Sequence, residues 1–168
     1  KTKAIVGVHW AGQPFDVDSL MGFERTVKVE NYPALYTEHI PVIEDVAHAL
    51  GSTYKGKLAG TLGDYGCFSF QAIKHLTTID GGALWCKDEA QFERSKKLRW
   101  FGLDRKYQGP KWEQDVSECG YKFHMNNINA VVGLMQMERL DWIISQHKKN
   151  SNFYDANILN DRVKLLRR

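Results

Sequence analysis

Residues 67–84 read CFSFQAIKHLTTIDGGAL, a nearly uncharged run that holds one lysine, Lys74. An amine placed between the strand-like CFSF and the glycine-bearing turn TTIDGG is either a surface residue on a loop or a buried group with chemical work to do. The flanking segments frame that choice. Upstream, IPVIED (40–45) is a short buried strand ending in two acids. AIVGVH (4–9) is an apolar, β-branched run suited to a strand buried on both faces. Downstream, GGALWCK (81–87) is a further strand, and residues 88–102 form a helix with Asp88 at its N-cap. After a GQP turn, residues 16–31 read as a helix whose N-terminus carries Asp16 or Asp18. Strands that alternate with helices indicate an α/β fold with a mainly parallel sheet flanked by helices.

The remaining segments are less regular. Residues 47–66 are loop-rich and hold five glycines. Residues 103–124 lack periodicity and form a long ordered loop, of a kind usually kept for function. From Met125 to about His147, apolar residues recur at Ile128, Val132, Met135, Leu140 and Ile143, which is helical spacing. Asn126 or Asn127 caps that helix, and Met135 and Met137 are expected to fill core space.

Composition bounds the function. With 168 residues, 43% hydrophobic and 26% charged, the chain can bury one sizeable core. Its net charge of +3 is mild, and basic residues cluster only in RSKKLR (94–99) and KLLRR (164–168). Such runs are usually solvated helix faces, which argues against nucleic acid as a partner. The three cysteines are odd in number and lack CxxC spacing, so they read as reduced thiols of a cytoplasmic protein, with no disulfide or zinc framework. No apolar run approaches the roughly 20 residues needed to span a bilayer. The chain opens on a strand without an initiator methionine, which leads us to expect a piece of a longer protein.

In an α/β sheet, ligands gather at the carboxyl edges of the strands. Asp45 closes one strand, His48 follows three residues later, Ser69 lies on another strand, and Lys74 comes five residues after it. An acid, an imidazole, a hydroxyl and an amine in one crevice match the needs of pyridoxal phosphate. The amine forms a Schiff base with the aldehyde, and the carboxylate keeps the pyridine nitrogen protonated so that the ring acts as an electron sink. The hydroxyl can hold the phosphate and the imidazole can touch the ring. Taken singly, each residue has a simpler reading: an exposed loop lysine, a helix-capping aspartate, a satisfied core histidine, an ordinary strand serine.

Residues 42–84, VIEDVAHALGSTYKGKLAGTLGDYGCFSFQAIKHLTTIDGGAL, resemble the cofactor-binding stretch of the DegT/DnrJ/EryC1/StrS family of sugar aminotransferases. That family shows an EDxAxxxG block, a glycine-rich block ending in FSF, and a lysine ahead of TTGEGG. GYKFHMNNINAVVGLMQMERLD (120–141) and VHWAGQPFDVDSL (8–20) are similar to two further blocks of the family, in the same order. The resemblance implies the large domain of a fold-type I enzyme dependent on pyridoxal 5'-phosphate, with residues 1–168 as its central part. It implies Lys74 as the Schiff-base lysine, Asp45 as partner of the pyridine nitrogen, His48 near the phenolic oxygen and Ser69 on the phosphate. Lys122 stands where the family often has an asparagine that reaches the phosphate of a neighbouring subunit's cofactor, and His124 replaces a common arginine. A lysine at 74 also argues against the family's dehydratase branch, where a histidine takes that place. The implied reaction moves an amino group, with glutamate as donor, to a keto group of a nucleotide-linked sugar, in a homodimer with shared sites. The rival readings are a non-catalytic regulator or inactive fragment on the same fold, and a lyase or desulfurase acting on free amino acids.

Overall fold

In a computed structural model, residues 2–28, 35–160 and 162–163 are described. Four strands make the central sheet: β1 (Ile5–Val8), β4 (Val42–Asp45), β7 (Tyr65–Ser69) and β8 (Gly82–Cys86), side by side in that order. β1, β4 and β7 run parallel, while β8 returns antiparallel against β7. The fold is therefore α/β with a mixed, mainly parallel sheet, as expected. Val8, Asp45, Cys67 and Leu84 form one cross-strand row. The carboxyl ends of β1, β4 and β7 thus share an edge with the start of β8, where Gly82 pairs with Ser69. Two antiparallel ribbons complete the β structure: β2 (Glu24–Lys28) with β3 (Leu35–His39), and the short β5 (Thr53–Tyr54) with β6 (Lys57–Leu58). Three helices follow, α1 (Glu89–Leu98), α2 (Asn127–Met137) and α3 (Leu140–Asn157). No helix among the described residues is long and apolar enough to cross a membrane.

Several expectations are corrected. Residues 16–28 form turns and the strand β2 instead of a helix, and residues 29–31 of that stretch lie outside the described residues, as do residues 164–168. Asp16 is responsible in part: its Oδ1 accepts from the Ser19 amide and the Tyr54 hydroxyl, and the Ser19 hydroxyl donates to its carbonyl. Such local bonds compete with helix propagation, and Gly22 at φ +87° then turns the chain into a strand. β1 lies at the edge of the described sheet and is covered on one face only, leaving Val6 62% and Val8 45% exposed. The helical pattern over 125–147 divides into α2 and α3 because Arg139 leaves helical geometry at φ −107°, ψ 1°. Met135 and Met137 are 64% and 59% exposed, so they fill no core here. Asp88 and Asn126 do cap α1 and α2, accepting from the amides of Gln91 and Asn129 at 2.8 and 2.9 Å.

The sheet is held to its loops by Glu44, which is fully buried. Its carboxylate accepts from His9 Nε2 at 2.8 Å and from the amides of Gly60, Leu62 and Gly63 at 2.7–2.8 Å. The Phe15 amide donates to His9 Nδ1 at 3.3 Å, which leaves Nε2 as the protonated nitrogen facing Glu44. Burial pushes the Glu44 carboxyl up, but the His9 bond and the three amides outweigh it and hold the group below its ordinary value of 4.5. At the opposite end of β4, buried Asp64 accepts from His39, the Val42 amide and Lys87. Burial raises that carboxyl as well, and the same three donors bring it below 3.8.

The loop that Glu44 holds lies directly on the strands, which is why glycines recur there. A Cβ on Gly66 would stand 2.0 Å from the Gly60 carbonyl oxygen, and one on Gly63 would stand 2.7 Å from the Val42 carbonyl oxygen. Backbone cannot yield as a side-chain tip can. Gly66→Ala should therefore lower stability by about 3 kcal/mol, the upper part of the usual overpacking range, read as a drop in the urea midpoint. Acid should do the same through the two carboxylates. Both are depressed in the folded state, so their contribution is complete above the ordinary values of 4.5 and 3.8 and is lost as pH falls through the folded ones. The expected urea midpoint begins to fall below about pH 7, where the imidazoles of His75 and His124, lowered in the folded state, resist the protons that the unfolded chain takes up, and it keeps declining below the 4.5 of an ordinary glutamate as the two carboxylates add their loss; a midpoint that rises on acidification would contradict this account.

Candidate active site

The strand register decides which candidates meet. Period-2 alternation sends Glu44 to the buried side of β4 and Asp45 to the other. Asp45 Oδ1 accepts from the Ala47 amide at 3.0 Å, and its second oxygen has no partner among the described residues. The turn after β4 carries His48, whose ring lies 4.8 Å from that of Trp10, the first residue of the turn after β1. Ser69 closes β7, its Oγ accepting from the Gln71 amide at 3.4 Å. The chain then turns, the Lys74 amide donating to the Gln71 carbonyl, and Lys74 is half-buried. Its amine has no hydrogen bond or ion pair among the described residues. Asp45, His48, Ser69 and Lys74 thus stand at one edge of the sheet, at the ends of β4 and β7 and on the two turns that follow them. Lys122 keeps different company: it bridges Trp100 across an antiparallel pairing of residues 121–123 with 98–101.

Around Lys74 the loop is clasped from two sides. α2 lies on residues 77–82: the Asn129 side-chain amide donates to the Asp80 carbonyl at 2.8 Å, and Gly133 lets Thr78 come so close that a Cβ would meet its methyl at 2.8 Å. α3 reaches the other flank, where the His147 ring meets the His75 ring edge-on at 4.5 Å. Burial pushes the His75 imidazole below 6.5, and His147, His48 and Lys74 add to it in that order. Burial, then the Asp45 charge and Cys86, pushes the Cys67 thiol above 9.0. Among the described residues no cluster of three or more metal-ligating side chains could hold an ion.

Some contributors carried no motif of their own. Alternation along PVIED could have separated Glu44 from Asp45, but its four donors come from segments 16 to 35 residues away. Ile79 is a second case. It adopts φ +73°, left-handed backbone that a β-branched residue rarely occupies. The family block TTGEGG has glycine there. Thr77 Oγ1 accepts the Ile79 amide at 2.9 Å, the Thr78 hydroxyl donates to the Asp80 carbonyl at 2.9 Å, and backbone bonds tie Phe70 to Thr78 and Gly81. These bonds over-determine the turn and impose the strain.

The donor set could hold a pyridine-based phosphate cofactor: a free carboxylate oxygen for a ring nitrogen, an imidazole beside an exposed indole, a hydroxyl for a phosphate and an unpaired amine for an aldehyde. Comparison with known proteins agrees in kind. The profile of the DegT/DnrJ/EryC1/StrS aminotransferase family matches residues 1–165. MJ1066 of Methanocaldococcus jannaschii, an uncharacterized protein, is 36% identical over 165 residues, 95% of this chain and 40% of that protein. The sugar aminotransferase CalS13 from Micromonospora echinospora superposes with a TM-score of 0.83 at 34% identity, covering 99% of this chain and 44% of that one. The PLP-form of Spr1654 from Streptococcus pneumoniae gives 0.79 at 30% identity, covering 98% and 43%. The chain therefore spans less than half the length of these relatives.

The strain at Ile79 gives a test of the turn. Ile79→Gly removes a left-handed penalty of about 1–2 kcal/mol, offset in part by the freer unfolded glycine. The variant should unfold about 1 kcal/mol later in urea than the parent sequence; a clear loss of stability would show that the exposed isoleucine side chain supports the loop instead of straining it.

Proposed function

The chain belongs to the DegT/DnrJ/EryC1/StrS aminotransferase family, and from that premise we propose that the protein carrying it moves an amino group from glutamate to a keto group of a nucleotide-linked sugar, with pyridoxal 5'-phosphate as cofactor. The observation that carries this reading is the half-buried Lys74 amine, without a protein partner among the described residues, at the strand edge that also holds Asp45. The sugar aminotransferase CalS13 and the PLP-form of Spr1654 support the class of reaction and of cofactor. When bound, pyridoxal phosphate supplies an electron sink for charge developing on the amino-acid carbon.

The residues divide the work. Lys74 Nζ would hold the cofactor at its aldehyde carbon and, as a free amine, would take up and return the proton at the donor carbon. Asp45 would hold a proton at the pyridine nitrogen through its free oxygen. His48, beside Trp10, would border the ring, and Ser69 would donate to the phosphate. Lys122 offers its ammonium to a phosphate across a homodimer interface, as a point charge in place of a neutral amide.

The test is borohydride reduction of the whole protein with pyridoxal phosphate, followed by peptide mapping. The expected result is one stable pyridoxyl adduct, on Lys74. Lys74→Ala should lose the adduct and cut amino transfer by about 10³-fold or more. A folded protein that carries no adduct at Lys74 would favour a non-catalytic relative on the same fold.

A further inference from the structure

Helix α3 touches two turns at once, and both turns carry candidate residues of the site. Ile144 packs so closely on Gly51 that a Cβ there would stand 2.5 Å from its Cδ1, and Gly51 holds φ +80°. Gly51 belongs to the turn after β4 that bears His48, closed by amide bonds from Ala49 to the Val46 carbonyl and from Ser52 to the Ala49 carbonyl. His147 lies one helical turn beyond Ile144, on the same side of α3. Its ring meets that of His75 edge-on, with centroids 4.5 Å apart and planes at 70°. His75 directly follows Lys74, so one face of one helix sets the His48 turn and the Lys74 turn against each other.

The Lys74 turn is anchored unevenly. Beyond the lysine, Leu76 and Thr78 are buried and the Thr78 amide donates to the Phe70 carbonyl, whereas Ile73 before it is 81% exposed. Lys74 sits between that exposed tip and the buried anchor, and His75 ties the stretch to α3.

The tie responds to protons. The groups whose charges act on the His75 ring come from three elements: His147 from α3, His48 from the turn after β4, and Lys74 from its own turn. Burial comes first and these three follow in that order, all pushing the imidazole below 6.5. No carboxylate is among them. A neutral His75 can stay packed against His147. A protonated one would be half-buried among groups of its own sign, and that repulsion is relieved when the ring swings off α3 into water.

We propose that His147 is a positioning residue for Lys74: its ring contact with His75 latches the Lys74 turn onto α3, and protonation of His75 opens the latch. The use of the latch in holding cofactor rests on the reading of Lys74 given above. The latch itself is a property of the fold and stands without that reading.

The experiment is hydrogen exchange, measured by mass spectrometry on the whole protein, with strand β4 as internal control. It follows residues 70–78, where the amides of Phe70, Lys74 and Thr78 are hydrogen-bonded, and each rate is divided by that of the unstructured chain at the same pH. Between about pH 8 and about pH 5.5, protection of this segment should fall about tenfold, as uptake of one proton by a ring of ordinary value 6.5 requires, while β4 keeps its protection. His147 is itself exposed, so replacing it opens no cavity. His147→Ala should show the low protection at both pH values, although alanine is the better helix former and favours α3. The double variant His75→Phe/His147→Phe keeps two rings to pack without a proton site, and it should stay protected at both. Affinity for pyridoxal phosphate, read from its absorbance, should weaken in His147→Ala and return in the double variant. Unchanged protection in His147→Ala, or an acid loss that persists in the double variant, would overturn the latch. A protein that shows the exchange pattern but takes up no pyridoxal phosphate would keep the latch and count against the proposed function instead.

Discussion

A single buried carboxylate, Glu44, organises this part of the fold. An ionised group at full burial is tolerable only when its lone pairs are met. Glu44 meets them with one imidazole and three amides, drawn from β1's end and from the loop at 60–63. The consequence is geometric. The loop must lie flat against β4 and β7, so residues 60, 63 and 66 can carry no side chain, and Gly60 must adopt φ +89°. Because neighbouring residues of a strand face opposite ways, fixing Glu44 inside also fixes Asp45 on the other side. The structural acid and the candidate functional acid are adjacent in sequence and separated by the sheet.

The Lys74 loop follows a different logic. Its conformation depends on helices that follow it by some 50 to 70 residues: Gly133 and Asn129 of α2 on one flank, His147 of α3 on the other. A turn held that firmly can contain a left-handed isoleucine, because the strain of one residue is small against the bonds around it. The same clasp fixes where the amine of Lys74 begins its reach. Lysine has a long side chain, and its usefulness at a site depends on how little the backbone beneath it moves.

Legibility in the sequence tracks the range of the interaction. The strands β4 and β7 and the caps Asp88 and Asn126 are local features, and the apolar runs and cap residues announce them. The helix expected over 16–31 failed because Tyr54, 38 residues on, shares Asp16 with Ser19, and because β2 finds a partner in β3. The break at Arg139 carries neither proline nor glycine, so nothing in the local sequence announces it. Nor does the apolar spacing announce the exposed methionines: Gly133 is the one buried residue of α2. That Asp45, His48, Ser69 and Lys74 fall at or just beyond the ends of β4 and β7 was readable because strand ends are themselves readable. What supports them was not, since Glu44's donors and the clasp of α2 and α3 are contacts between distant segments.

Charge gives the last step. A net charge of +3 reads as nearly neutral and conceals its arrangement. Around α1 the acids are consumed in pairs with Arg94, Lys96, Lys97 and Lys106, which costs little because those pairs are exposed. Arg105, without a carboxylate partner among the described residues, lies over the Trp100 indole instead, and the Lys74 amine at the sheet edge likewise has no carboxylate among them. A uniform spread of the same residues would attract anions generally; pairing most of those near α1 with acids leaves few cations there to do so, and the amine at the sheet edge keeps its freedom because the acids are engaged elsewhere.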